Sequence, residues 1–150
     1  SADSSSAKLA YLRTNKKIRT VGNISEVRDL LGAFGYSEDE DKPKRLSAVI
    51  SETRRAREVL AVSGSSIFRM MFSDKPEALI EIVPPGYYNK RFSFILSFEL
   101  GARYSFLPAF DIPYFNDHLT FWQGSGNSSE IHSAVYVPIS GLSEFLLEPQ

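Results

Sequence analysis

Apolar positions change their period several times along the chain, and each change marks an element. In KLAYLRT, residues 8–14, Leu9 and Tyr11 stand two apart and the segment ends on a basic residue, which predicts a strand. Asn23, Ile24, Ser25 and Glu26 have the spacing of a capping box; Val27, Leu30, Leu31 and Phe34 follow at helical intervals, and Gly35 is the stop. SEDEDKPKR, 37–45, is charged, holds a proline and predicts a surface loop. A second helix carries Leu46, Val49, Ile50 and Thr53 on one face. The apolar runs 59–62 and 78–83 predict buried strands, the second stopped by Pro84, Pro85 and Gly86. Between them, 67–72 predicts a short helix. Further on, 90–100 predicts a helix capped by Gly101, 104–107 a strand, 134–139 a strand and 140–147 a closing helix, while 109–127 has turn signals and weak periodicity.

Strands and helices alternate, and the central strands are continuously apolar. That combination predicts an α/β fold, a mostly parallel sheet covered on both faces in three layers, Rossmann-like in kind. The length of 150 residues suits one domain, read as 9–150 after a polar leader or linker, SADSSSAK, at 1–8. The leader lacks the apolar centre of a signal peptide, and no apolar run approaches a membrane span. A formal net charge of -1 gives no excess of cations for tracking a nucleic-acid backbone. The absence of cysteine excludes disulfides, thiolate metal sites and cysteine nucleophiles, and leaves the compartment open between cytoplasm and Golgi or ER lumen.

In parallel sheets, ligands sit beyond the carboxyl ends of the strands. One such end carries Ser63, Gly64, Ser65 and Ser66 before a helix. Small residues let backbone N–H groups approach an anion, and the helix adds its positive end. The competing explanation is steric: tight turns favour glycine, and serine caps helices. Arg69, one turn on, is placed either to clamp a diphosphate or to face water. Arg13, Lys16, Lys17 and Arg19 form a basic loop after the first strand, suited to phosphate or simply solvated. Glu81 is the only charge in the run 78–83, and is either a ribose or sugar contact or a paired or solvent-facing carboxylate. Asn23 is accounted for as a helix cap, and Asp39, Glu40 and Asp41 as a solvated acidic run without metal. His118 and His132 have no ligand spacing; Trp122, Tyr87 and Tyr88 suit either a sugar-stacking surface or the core.

Taken in order, these segments resemble the carboxyl-terminal half of the family 61 glycosyltransferases, whose bacterial relatives are described as capsular polysaccharide biosynthesis proteins. YLRTNKKIRTVGNISEV matches the family's strand ending in Arg, further Arg and Asn-Glu before a helix, through Arg13, Arg19, Asn23 and Glu26. SGSSIFRMMF, 63–72, stands where the family has His-Gly-Ala-small-Leu-x-Asn-x-x-Phe. LIEIVPP, 79–85, matches its strand with Glu and Pro-Pro, ELGARY, 99–104, its Leu-Gly-x-x-Tyr, and AVYVPISGLSEFLLEP its closing strand and helix. The similarity covers nearly all of the chain after the leader.

The resemblance implies a GT-B glycosyltransferase in which this chain is the nucleotide-sugar domain. An amino-terminal domain outside the chain would supply much of the acceptor site. Arg13, Arg19, Arg69 and residues 63–66 (Ser63, Gly64, Ser65, Ser66) would hold the donor phosphates, and Glu81 a ribose or sugar hydroxyl. No metal or cofactor is required beyond the nucleoside-diphosphate sugar. Two departures bear on turnover: Ser63 replaces the family's His and Arg69 its Asn. Serine cannot supply imidazole acid–base chemistry. Because the resemblance makes it one of two domains, the isolated chain is expected to transfer no sugar. The alternative is a non-catalytic interaction domain retaining the fold, and a third reading is a nucleotide-binding enzyme of another class.

Overall fold

A computed structural model describes residues 7–14, 20–39, 42–84, 91–111 and 134–147. Five strands make the main sheet: β1 (Lys8–Tyr11), β3 (Ser37–Glu38), β4 (Glu58–Val62), β5 (Ala78–Val83) and β6 (Arg103–Pro108). Their spatial order is β3-β1-β4-β5-β6 and every pairing is parallel. A smaller sheet joins β2 (Thr20–Val21), β8 (Ala134–Tyr136) and β7 (Phe110–Asp111) in that order. The helices are α1 (Ile24–Ala33), α2 (Leu46–Thr53), α3 (Arg91–Leu100) and α4 (Ile139–Leu147), with a 3-10 segment at Ser65–Phe72.

The two sides of the pleat build two cores, because successive side chains of a strand point to opposite faces. Ala10, Leu12, Leu60, Val62, Ile80 and Ile82 face one way and pack with Val27 and Leu31 of α1 and Leu142 of α4. Leu9, Tyr11, Val59, Ala61 and Leu79 face the other way and meet Ile67 and Met70 of the 3-10 segment. On this second side α2 and α3 both touch the 3-10 segment. The protein is thus a three-layer, Rossmann-like α/β fold with a mostly parallel sheet, as the alternation of apolar runs implies. None of the helices is long and apolar enough to cross a membrane, among the described residues.

Two helix stops rest on glycine's tolerance of the left-handed region. Gly35 has φ 80°, and Tyr36 N–H reaches back to the Leu31 carbonyl at 3.0 Å. Gly101 has φ 67°, and Ala102 N–H closes on the Ser97 carbonyl at 2.8 Å.

The structure also corrects several expectations. The first strand ends at Tyr11 rather than 14, since Arg13 turns the chain out of the sheet at φ 57°. Within the expected loop 37–45, Ser37 and Glu38 pair with Leu9 and Ala10 as an edge strand. The last strand stops at Tyr136 and α4 begins at Ile139, with Pro138 between them. The short helix 67–72 is a 3-10 segment that starts at Ser65.

Asn23 departs furthest from its expected role. It precedes α1, yet its side chain makes no capping bond. It grips the backbone of Val137 instead: Nδ2 donates to the Val137 carbonyl at 2.7 Å and Oδ1 accepts from the Val137 N–H at 3.0 Å. Only an amide offers a donor and an acceptor side by side in this way. The contact ties α1 to the segment between β8 and α4, across 114 residues. Asn23→Asp, harmless at a pure cap, is therefore expected to lower stability by about 1–3 kcal/mol by depriving the Val137 carbonyl of its donor. Urea denaturation of both proteins measures the difference, and equal midpoints would restore the capping role.

Candidate functional site

The strand order determines where a ligand site would form. The chain steps from β1 outward to β3, then returns across to β4. Taken in chain order the strands lie 2-1-3-4-5, with the topological switch between β1 and β4. At the carboxyl ends of those two neighbours stand Arg13 and residues 63–66.

Arg13 leaves β1 in the left-handed region and is only 8% exposed. Its guanidinium lies against Gly64, so closely that a Cβ added there would collide with Arg13 Nη1. Gly64 itself is extended, with φ 164°. Close approach, rather than backbone twist, is what requires glycine at this position. A non-glycine residue at positive φ costs on the order of 1–3 kcal/mol and persists only where its surroundings hold it.

Ser63 is wholly buried and turned inward. Its N–H bonds the Ile82 carbonyl at 2.9 Å, and its hydroxyl donates to Glu81 Oε1. The other oxygen of Glu81 accepts from the Tyr104 hydroxyl at 2.7 Å. Glu81 is itself fully buried. Both of its oxygens are thus engaged by neighbours, one after β4 and one on β6. Tyr104 in turn has its pKa raised by burial first and by the Glu81 hydrogen bond and charge after that.

Ser65 is exposed, while Gly64 and Ser66 are half-buried. The N–H groups of Ser65 and Ser66 open the 3-10 segment, where no preceding helical carbonyl exists to receive them. Ile67 N–H closes weakly on the Gly64 carbonyl at 3.4 Å. The surface of the turn is therefore backbone N–H and serine hydroxyl, with an arginine behind it.

Arg69 is directed to Asp39 and to the ring of Tyr11, 4.7 Å from its centroid. Asp39 also receives Lys44, and Lys44 reaches Glu52 at 2.7 Å. Asp39 is 9% exposed, so this part of the acidic run is a buried ion-pair centre rather than a solvated stretch. Glu40, Asp41, Lys16, Lys17, Arg19, Tyr87, Tyr88, His118, Trp122 and His132 lie outside the described residues. Among the described residues, no group of three or more His, Asp or Glu is arranged to hold a metal ion.

The structure therefore joins Arg13 to Gly64 and Ser63 to Glu81, and sets Arg69 on Asp39. Sequence reasoning missed Tyr104 and Asp39 as members of the site's framework. For Tyr104 a signal existed: a lone carboxylate in an apolar strand demands donors nearby.

No protein-family model matches the chain, and no curated protein matches it.

Removing the Tyr104 hydroxyl leaves Glu81 Oε2 without its buried donor. Tyr104→Phe is expected to destabilise the fold by about 1–3 kcal/mol in chemical denaturation. Alkaline titration gives an independent check. Tyr11, Tyr36 and Tyr104 all have pKa values raised chiefly by burial. The unfolded chain ionises tyrosine near pH 10, so their stabilisation is complete below that value and declines as pH rises through the higher folded values. Absorbance at the phenolate band should show these three of the seven tyrosines ionising only as the fold is lost. Full ionisation of all tyrosines in a still-folded chain would contradict the burial assigned to them.

Proposed function

We propose that the chain is a nucleotide-sugar-binding domain of a glycosyltransferase, with the donor's diphosphate held at residues 64–66. The supporting observation is the position of the Arg13–Gly64 junction at the switch between β1 and β4, where parallel sheets of this strand order take phosphorylated ligands. Phosphate oxygens would accept from the Ser65 and Ser66 N–H groups and from their hydroxyls. The Arg13 guanidinium, directly behind Gly64, would add a fixed positive charge. Such preorganised donors stabilise the charge that grows on a departing nucleoside diphosphate. The sugar then passes to an acceptor presented by a separate domain, a role that fits the glycan-synthesis setting implied by the resemblance.

The residues divide into two layers in this mechanism. Gly64, Ser65, Ser66 and Arg13 form the cradle, and Arg19, which lies outside the described residues, would be a further phosphate contact by the resemblance. Ser63 and Glu81 act from beneath, by fixing where the strand ends and the turn begins. Glu81 is fully buried beneath the turn, so it would reach a ribose or sugar hydroxyl only if the residues covering it moved aside. Arg69, paired with Asp39 and lying over the Tyr11 ring, holds the 3-10 segment against the sheet and acts on the cradle only through that positioning.

A non-catalytic interaction domain is the second reading. It is favoured by the inward turn of the Ser63 hydroxyl, which leaves no acid–base side chain at that position.

Thermal-shift screening against UDP, GDP, CDP and ADP, with and without Mg²⁺, separates the two. A ligand at about a hundred times its dissociation constant adds roughly 2.7 kcal/mol of stability. One nucleotide is expected to raise the melting temperature selectively. Gly64→Ala, by displacing Arg13, is expected to weaken that nucleotide about tenfold or more, in keeping with the loss of one charge-assisted hydrogen bond. Gly32→Ala, where a Cβ meets nothing within 4 Å, is the control. A folded protein that no nucleotide stabilises would favour the interaction-domain reading.

A further inference from the structure

Helix α3 is built inside out. Its two wholly buried residues are Ser93 and Ser97, four apart and therefore on one face. Ser97 also turns its hydroxyl onto the Ser93 carbonyl at 2.9 Å. The outward residues are aromatic and aliphatic: Phe92 is 72% exposed, Phe94 59%, Ile95 50% and Phe98 74%. Surface helices normally carry the reverse arrangement. The small serines let α3 lie close on β5 and β6; Leu96 and Leu100 are half-buried, Leu100 against the core, and the aromatic residues of the helix stand at the surface.

The patch continues from the helix onto the sheet. Phe94 meets Tyr104 edge-on at 6.3 Å, and Tyr104 stacks on Phe106 at 6.4 Å. Phe106, half exposed, lies on β6, the edge strand of the main sheet among the described residues. At about 150–250 Å² per aromatic side chain, the exposed parts amount to roughly 600 Å². Monomeric proteins seldom leave a contiguous apolar patch of more than a few hundred Å² uncovered.

We propose that this face is the interface of a two-fold symmetric homodimer, in which α3 packs antiparallel against α3 of a second copy. Three features select a second copy as the occupant. Phe92 and Phe98 flank Ile95 at equal spacing, so a two-fold axis at Ile95 sets each Phe92 against the other copy's Phe98. Two such faces together bury roughly 1,200 Å², which reaches the lower bound of stable specific interfaces. The charge pattern also fits. Glu99 is exposed on this same face, at the carboxyl-terminal end of its own helix, where the helix dipole disfavours an anion. Antiparallel pairing carries each Glu99 to the positive amino-terminal end of the other α3.

Sedimentation equilibrium over a concentration series tests the arrangement. The chain is expected to sediment as a dimer at about micromolar concentrations and above. Phe98→Glu puts a charge into the interface twice and is expected to weaken association about thirtyfold or more. Its circular dichroism spectrum should stay that of the parent, because Phe98 lies outside the core. Should Phe98→Glu disturb folding, Phe92→Ser, at the other end of the same face, gives the same readout. A chain that remains monomeric throughout the series overturns the proposal. So does a dimer whose affinity neither substitution changes, since it would form through another surface.

Discussion

A carboxyl group lies fully buried in the middle of the central sheet, and the surrounding structure is arranged to satisfy it. Glu81 lies in register with Ala61 on one side and Phe106 on the other. Without donors, such a group would cost several kcal/mol to bury. Ser63 approaches from the end of β4 and Tyr104 from β6, so the one side chain bonds to groups on both flanking strands. That arrangement dictates the course of the chain beyond β4. Once Ser63 is turned inward, the polypeptide reverses at Gly64, and Arg13 fills the space a side chain would need there. The shape of the turn is therefore set from below, by a hydrogen-bond network that need not touch a ligand.

Arg13, Arg69 and Lys44 lie toward the carboxyl edge of the sheet, and their environments differ. Arg69 and Lys44 converge on Asp39, which joins β3, α2 and the 3-10 segment through side chains alone. This cluster fixes the helical layer above Tyr11. Buried ion pairs of this kind contribute more to geometry than to net stability, since desolvation offsets much of the Coulomb attraction. Arg13 occupies a different position, buried with its guanidinium packed against Gly64.

How far the sequence discloses this depends on the range of the interaction involved. The runs at 59–62 and 78–83 and the stops at Gly35 and Gly101 are legible because a strand's burial or a helix's end is written in adjacent residues. The two-residue strands β2, β3 and β7 carry too few positions to show any period. Asn23 illustrates a subtler failure: the capping-box spelling is present, yet its amide answers Val137, 114 residues away, and no local rule contains that contact. Asp39 sits in a run whose composition says solvent, while its partners in space are Lys44 of that same run and Arg69 from the distant 3-10 segment. Helix α3 shows the limit of periodicity itself. The spacing of its apolar residues marks a helix correctly, but a helix has no sequence label for which side meets the sheet.

The inversion of α3 also bears on the turn. The 3-10 segment that begins at Ser65 is anchored inward by Ile67 and Met70, and it lies between α2 on one side and α3 on the other. Its outer residues Phe68 and Met71 are exposed, like the outer residues of α3. A 3-10 helix of this length has poorer hydrogen-bond geometry than an α-helix, so its position depends on its neighbours more than on its own backbone. Bracing α3 from outside would restrict the segment that carries the serine N–H groups, adding to the hold already given by Ile67, Met70 and the Arg69–Asp39 ion pair. The aromatic surface and the small-residue turn are thus mechanically adjacent, and Tyr104 belongs to both: its ring packs with Phe94 and Phe106 while its hydroxyl bonds the carboxylate that holds Ser63.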